Sequence, residues 1–393
     1  MPARSLRLGL LGLITLSLAL GGLACRPQSE SPATPAASPS PAARQARVES
    51  PSPAASTPTP VPTATPFVPQ VASPAASPRV VVPPGPRYTA KLHHQSATTE
   101  SRHFLAQKLA EIADARSNGR LKIEITPAGQ VYHGEAEYQA LARNDIQLAL
   151  PRLAELTTFD PIWTVIDLPF LLSPEAAAKL GHEAPGRTLW KSLEPHGIAG
   201  LALINLHDPV ILYTQDRPIL TLDDLRGLRV RSYLASPELH NEWLRIFGAN
   251  AISLPGSEVY PAIQRGQIDS VLTTISAARE LRLPEVVRYG NLIPVSSVPL
   301  GFAASARWLN AIPREIRQML IEDVIPEAEA AFAAYQIALV ADSRDKAARN
   351  GIEFIQPPAE VAEAMKRRTE AELYPRLAGN YPGELVREIQ DLQ

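Results

Sequence analysis

Cysteine is nearly absent from this sequence: among 393 residues the only one is Cys25. A single thiol allows no internal disulfide and no cysteine-based metal site. A basic surplus is missing too, since 38 Lys and Arg face 40 Asp and Glu, giving a formal net charge of −2 and a pI near 6.5. The basic residues are not gathered into runs, so nothing here tracks a phosphate backbone, and nucleic acid is not an expected partner. Also lacking are a Gly-x-Ser-x-Gly nucleophile elbow, a Gly-x-Gly-x-x-Gly turn, a phosphate loop and a His-Glu-x-x-His metal motif. Without a nucleophile, an acid/base pair or a cofactor loop, the expectation is a chain that is not an enzyme and carries no cofactor. What is present, 45% hydrophobic and 20% charged residues, is enough to bury a large core in two or more domains.

The first residues supply Arg4 and Arg7, then a run from Leu8 to Ala24 broken only by Gly, Thr and Ser. That is the pattern of an export signal. Directly after it, Gly22-Leu23-Ala24-Cys25 resembles the lipobox of bacterial lipoproteins, in which cleavage exposes a cysteine that carries lipid. Ala24 fits that pattern; Gly22 stands where Leu is usual and Leu23 where a small residue is usual. Residues 1–25 therefore read as a lipoprotein-type signal with Cys25 as the lipid site, or as a retained anchor, the run being only slightly shorter than a membrane span. Both place the remainder outside the cytoplasm, in the periplasm or at the cell surface, tethered to the membrane. Residues 26–86 hold 17 of the 39 prolines and only one aromatic residue, Phe67. Such a stretch cannot bury enough apolar surface to order itself, and it reads as a disordered linker or a glycosylated stalk.

From Tyr88 the pattern becomes that of an α/β fold. Tyr88, Ala90 and Leu92 alternate as a strand extending to Gln95; Leu105, Leu109 and Ile112 line one face of a helix from Ser101, closed by Asn118-Gly119; Leu121, Ile123 and Ile125 begin the next strand. Further on, Ser236-Pro237-Glu238 opens a helix that Gly248 closes, with a strand from Ala251 to Ser253 after it. Ser257 and Gly266 bracket another helix before a strand from Ile268 to Leu272. Pro313 to Asn350 predicts a long helical stretch, with Pro326 as a kink or break. Trp163, Trp190, Trp243 and Trp308 read as core, and Asp223-Asp224 as acids of a helix start.

Several segments, taken in order, resemble the DctP group of TRAP-transporter solute receptors. They are Pro127-Ala128-Gly129-Gln130-Val131, Asp167-Leu168-Pro169-Phe170-Leu171, Leu222 to Arg231, Ser257-Glu258-Val259-Tyr260, and Gln264 to Asp269. The resemblance implies a two-lobed, periplasmic-binding-protein-like clam-shell with crossing segments and a long C-terminal helical stretch. Lobe I is expected over 87–212 plus about 296–330, and lobe II over 213–295 plus about 331–393. It also implies capture of a small organic carboxylate and delivery to TRAP membrane subunits. A receptor serving a sensory system remains the alternative that the residues do not separate.

Arg229 and Arg231 alternate with Leu228 and Val230 in an expected strand, one face apolar and the other cationic. A guanidinium presents paired donors that match a carboxylate, in a geometry a lysine does not reproduce. The resemblance makes Arg231 the residue that grips the ligand. The second arginine that many family members carry is missing from Leu206 to Leu212, and Thr273 stands where an asparagine is common. Arg152, after a strand from Ile146 to Leu150, is the candidate to compensate, with a solvated loop arginine as the other reading. Ligands of open α/β sheets lie beyond the carboxyl ends of strands, which adds His94, Gln95 and Ser96. No spacing among His93, His94 and His103 matches a metal motif, and no metal is expected.

Overall fold

The structure, a computed structural model, describes residues 79–232, 237–297 and 299–393. Cys25, Ser236 and most of the 26–86 segment lie outside the described residues. Eleven strands occur among the described residues: β1 (Tyr88–His93), β2 (Leu121–Thr126), β3 (Leu148–Ala149), β4 (Ile198–Ile204), β5 (Val210–Thr214), β6 (Arg229–Ser232), β7 (Asn250–Ser253), β8 (Ser270–Thr274), β9 (Tyr289–Ser296), β10 (Leu300–Ser305) and β11 (Glu353–Ile355). They form two sheets, ordered β2-β1-β3-β10-β4 and β11-β9-β5-β8-β6-β7. In the first, β1 runs parallel to β2 and β3, and β10 runs antiparallel to β3 and β4. In the second, β6 is parallel to β7 and β8, while β5 is antiparallel to β8 and β9.

The chain passes from the first sheet to the second between β4 and β5, and returns between β9 and β10. It crosses a third time along the helix Arg314–Arg349, which packs on the helix Ser101–Arg116 of the first lobe and on the helix Ile275–Glu280 of the second. Proline does not break that long helix. A π-turn over Leu320–Val324 immediately precedes Pro326, and its wider backbone accommodates a residue that has no N–H to give and a ring that crowds the preceding turn.

Sequence and structure agree closely on the helix Ser101–Arg116, whose Leu105, Leu109 and Ile112 are buried and whose exit uses Asn118 at φ 54° and Gly119 at φ 74°. Strand ends differ by a few residues. β1 stops at His93 instead of Gln95 because the chain there turns under Pro127-Ala128-Gly129: Ala128 N donates to Ser96 O at 3.0 Å and Gly129 N to His94 O at 3.1 Å. Ala128 and Gly129 both have positive φ, 58° and 62°, and a Cβ on Gly129 would lie 2.4 Å from the His133 ring. This turn fixes the three residues that follow β1.

The Leu168-Pro169-Phe170 segment joins the lobes. Phe170 N donates to Val295 O on β9 at 2.7 Å, its ring packs 6.1 Å from Trp243, and Pro169 O accepts from Tyr374 Oη at 2.9 Å. Phe170 takes φ 66°, uncommon for a bulky residue and held here by contacts from both sides. Trp163 and Trp243 are fully buried, and Trp243 Nε1 donates to Thr369 Oγ1 at 2.9 Å. The C-terminal helices divide their packing: Ala359–Glu372 lies on Pro237–Ile246 of the second lobe, and Gly383–Gln390 on Pro174–Leu180 and Ala184–Lys191 of the first.

Candidate functional site

Arg231 lies toward the C-terminal end of β6, in register with Ile252 of β7 and Val271 of β8, and is only 6% exposed. Its Nε donates to Leu254 O at 3.1 Å. Thr273, buried on β8, is the next-but-one residue after Val271 and therefore shares the face of Arg231. Arg229, at the opposite end of β6, is spent at the surface: its Nε meets Asp269 Oδ2 at 3.0 Å and its Nη1 donates to Gly266 O. Alternation thus puts two arginines on one face, but only Arg231 is taken into the interior. Asp223-Asp224 falls in a single turn of 3-10 helix, Leu222–Leu225, where Thr221 and Asp224 form a capping box.

His94, Gln95 and Ser96 lie just past the C-terminal end of β1, in the other lobe. Gln95 is fully committed: its Oε1 accepts from Gly134 N at 3.0 Å, and its Nε2 donates to Glu137 at 2.8 Å and to Glu155 at 3.2 Å. Glu137, with no exposed surface, also meets His93 Nδ1 at 2.6 Å. Tyr138 Oη donates to Arg152 O at 2.6 Å and packs beside Glu155; burial, then the Glu155 charge, pushes its pKa well up. His94 Nε2 and His103 Nδ1 are 3.1 Å apart, while His94 Nδ1 is buried without a partner among the described residues. Burial first, then His103 and Arg102, lowers His94 to about 4, so its imidazole is neutral at ordinary pH.

Arg152 is exposed at the start of the 3-10 segment Leu153–Thr158. The Gln95 amide is thus spent on Gly134, Glu137 and Glu155, whereas Arg152 lies at the surface. Among the described residues, no three of His, Cys, Asp and Glu converge as a metal-ligand set. Sequence reasoning missed Glu137, Arg102 and Tyr138. For Glu137 a signal existed: it stands on the same helical stripe as the buried Ala140 and Leu141, where an acid needs a partner.

The helix Ile275–Glu280, which Thr274 caps immediately after Thr273, connects β8 to the first lobe through the long helix on which it packs. The pKa of Glu280, at its end, is raised by burial and then by the charge of Glu100, the residue that opens the first-lobe helix Ser101–Arg116. Asp208, on the β4–β5 crossing, accepts from Ile275 N at 2.9 Å and from Ser276 Oγ at 2.5 Å, fixing the same helix to the hinge.

Residues 92–377 match the family model described as bacterial extracellular solute-binding protein, family 7 (DctP). The chain belongs to this family. Its members are solute-binding proteins found outside the cytoplasm. Among curated relatives of this DctP-family receptor is the C4-dicarboxylate-binding protein DctB of Bacillus subtilis, 28% identical over 187 residues, which are 47% of this chain and 53% of that protein. The match thus spans about half the length of that relative. The C4-dicarboxylate-binding periplasmic protein DctP of Rhodobacter capsulatus is 26% identical over 232 residues, 58% of this chain and 68% of that one. Among solved structures, a TRAP periplasmic solute binding protein from Ochrobactrum anthropi superposes with a TM-score of 0.73 at 22% identity, covering 78% of this chain and 95% of the other. That likeness establishes the two-lobed fold.

Proposed function

We propose that this chain captures a small organic carboxylate outside the cytoplasm and delivers it to the membrane subunits of a TRAP-type transporter, without itself performing catalysis. The observation that carries this reading is Arg231, a buried guanidinium at the C-terminal end of a strand, in a chain whose relatives are described as C4-dicarboxylate-binding proteins. The ligand carboxylate meets the Arg231 fork, Thr273 adds a hydroxyl on the same face, and closure of the lobes brings up His94 and Ser96. Charge-assisted bonds of this kind are worth about 1.5–3 kcal/mol, or tenfold and more in affinity. Arg231→Lys keeps the charge and loses the paired donors. Calorimetric titration with succinate is expected to show binding at least about tenfold weaker than in the unchanged chain; equal affinity sinks the assignment.

The division into lobes we propose is 87–209 with about 297–330 in the first and 210–296 with most of 331–393 in the second, each inner boundary moved by a few residues from the sequence expectation so that β5 and β9 stay whole. The closing helix Gly383–Gln390 goes with the first lobe, on which it packs. We read residues 1–25 as the membrane tether, with lipid on Cys25, and 26–86 as its spacer. Cys25→Ser should release the receptor from the membrane fraction; retention there would instead make the apolar run the anchor.

A further inference from the structure

Residues 79–87 lie ahead of the family match at 92–377, yet they are bound to the first lobe. Pro83, Pro84 and Pro86 remove amide donors from this stretch, so its carbonyls must find partners elsewhere. Arg120, the residue before β2, supplies them: its Nη1 donates to Pro83 O at 2.6 Å and its Nε to Pro86 O at 3.2 Å. The same guanidinium lies 6.0 Å from the centre of the Tyr88 ring, and Nη1 is 3.3 Å from Glu315 Oε1. Gly85 passes close over it, where a Cβ would lie 2.9 Å from Cζ of a side chain that these acceptors already hold. Upstream, Val80 N donates to Asp323 Oδ2 at 2.9 Å, and Val82 is buried in the apolar cluster that contains Ile316, Leu320 and Val324.

These anchors converge on one part of the fold. Glu315 belongs to the helical turns Arg314–Met319 and Asp323 to the π-turn Leu320–Val324, which together begin the long helix that crosses to the second lobe. Arg120 ties the same segment to the first sheet. Arg120 is only 6% exposed, and a cation taken so far from water needs acceptors for its N–H groups. Peeling residues 79–87 away removes two of them and uncovers Val82, while the prolines limit the entropy lost when the segment docks. We propose that residues 79–87 are a strap, clasped by Arg120, Glu315 and Asp323, that fixes the root of the crossing helix to the first sheet and brings the upstream linker onto the first lobe alone. The clasp stands on its own contacts. Its consequence at the membrane, that the receptor is held by its first lobe and the second is left to move, rests on the tether reading above.

Trypsin reads the clasp directly, since cutting after Arg79 requires Val80 to Val82 to leave the surface. In the full chain that cut should be at least about tenfold slower than the cut after Arg47 in the upstream linker, because it follows the population of the opened strap. Arg120→Gln and Asp323→Ala should each quicken it by at least about threefold and leave the Arg47 rate unchanged. Asp323 is half-buried, so Asp323→Ala decides the matter where Arg120→Gln fails to fold. Equal cleavage after Arg79 and Arg47 in the original chain, or an unchanged Arg79 rate in Asp323→Ala, overturns the clasp. The hold on the crossing helix is read by hydrogen exchange: Val82→Asp, which alters only the strap, should raise amide exchange over Leu320–Val324 by at least about threefold. Exchange unchanged there, while cleavage after Arg79 quickens, would make the strap a passive end of the linker and remove its hold on the helix. Neither measurement involves Cys25, so the tether reading stands or falls separately through Cys25→Ser.

Discussion

Arg231 and Glu137 are both buried charges near the C-terminal ends of sheet strands, one in each lobe, yet their surroundings are assembled in opposite ways. Around Arg231 the structure is local: a strand of four residues, flanked in parallel by β7 and β8, with the acceptor Leu254 O 23 positions along the chain. Around Glu137 it is assembled from afar, since His93 and Gln95 are 44 and 42 positions away and Gln95 reaches 60 positions to Glu155. In the second lobe a single guanidinium is carried by a strand paired on both sides. The first-lobe half is a network in which each member orients the next, so its geometry depends on all of them at once.

This contrast is broken most directly at Glu137. Glu137→Ala leaves the buried His93 without its acceptor and leaves Gln95 only the longer bond to Glu155, and removing one partner of a buried pair typically costs about 3–5 kcal/mol. Thermal unfolding should show that loss, together with weakened ligand binding as Gln95 and its turn relax. A loss below about 1 kcal/mol would mean that the network is loose and that the two halves are alike.

His94 offers a smaller probe of the same region. Its folded pKa of about 4 lies below the ordinary 6.5, so the unfolded chain binds a proton first as pH falls. Its contribution is therefore present above pH 6.5 and is lost as pH drops toward 4, by up to about 1–3 kcal/mol. His94→Asn should flatten the unfolding profile across that window. Glu329 on the long helix, raised by burial to about 7, works in the opposite sense, since its protonated folded form loses ground as pH rises toward 7. The single variant isolates the His94 slope from that background, and an unchanged slope would show that His94 is not held neutral.

The same contrast explains what could be read from the chain. The helix Ser101–Arg116 and β2 were legible because periodicity, caps and left-handed turn residues agree there. The strand that carries Arg231 was legible because Leu228 and Val230 alternate with the two arginines within a few residues. Arg102 looked like one more first-turn residue of a helix, since only its approach to Leu150 O, 48 positions on, makes it a buried cation. The continuity of the helix through Pro326 was also hidden, because a π-turn leaves no mark in the apolar pattern.

The two arginines of β6 set the finest version of the comparison, since they share a strand, a face and a charge. Arg229 is 44% exposed at its side chain and is paired with Asp269, whereas Arg231 is 6% exposed. A surface ion pair is worth about 0.2–1 kcal/mol, because water screens it and ordering two side chains offsets part of the attraction. Arg229→Ala should therefore lower stability by no more than about 1 kcal/mol and leave succinate affinity within about twofold of the original. If Arg229→Ala instead weakened binding as much as Arg231→Lys, the ligand would be reading the whole cationic face of the strand, and burial would not be what selects Arg231.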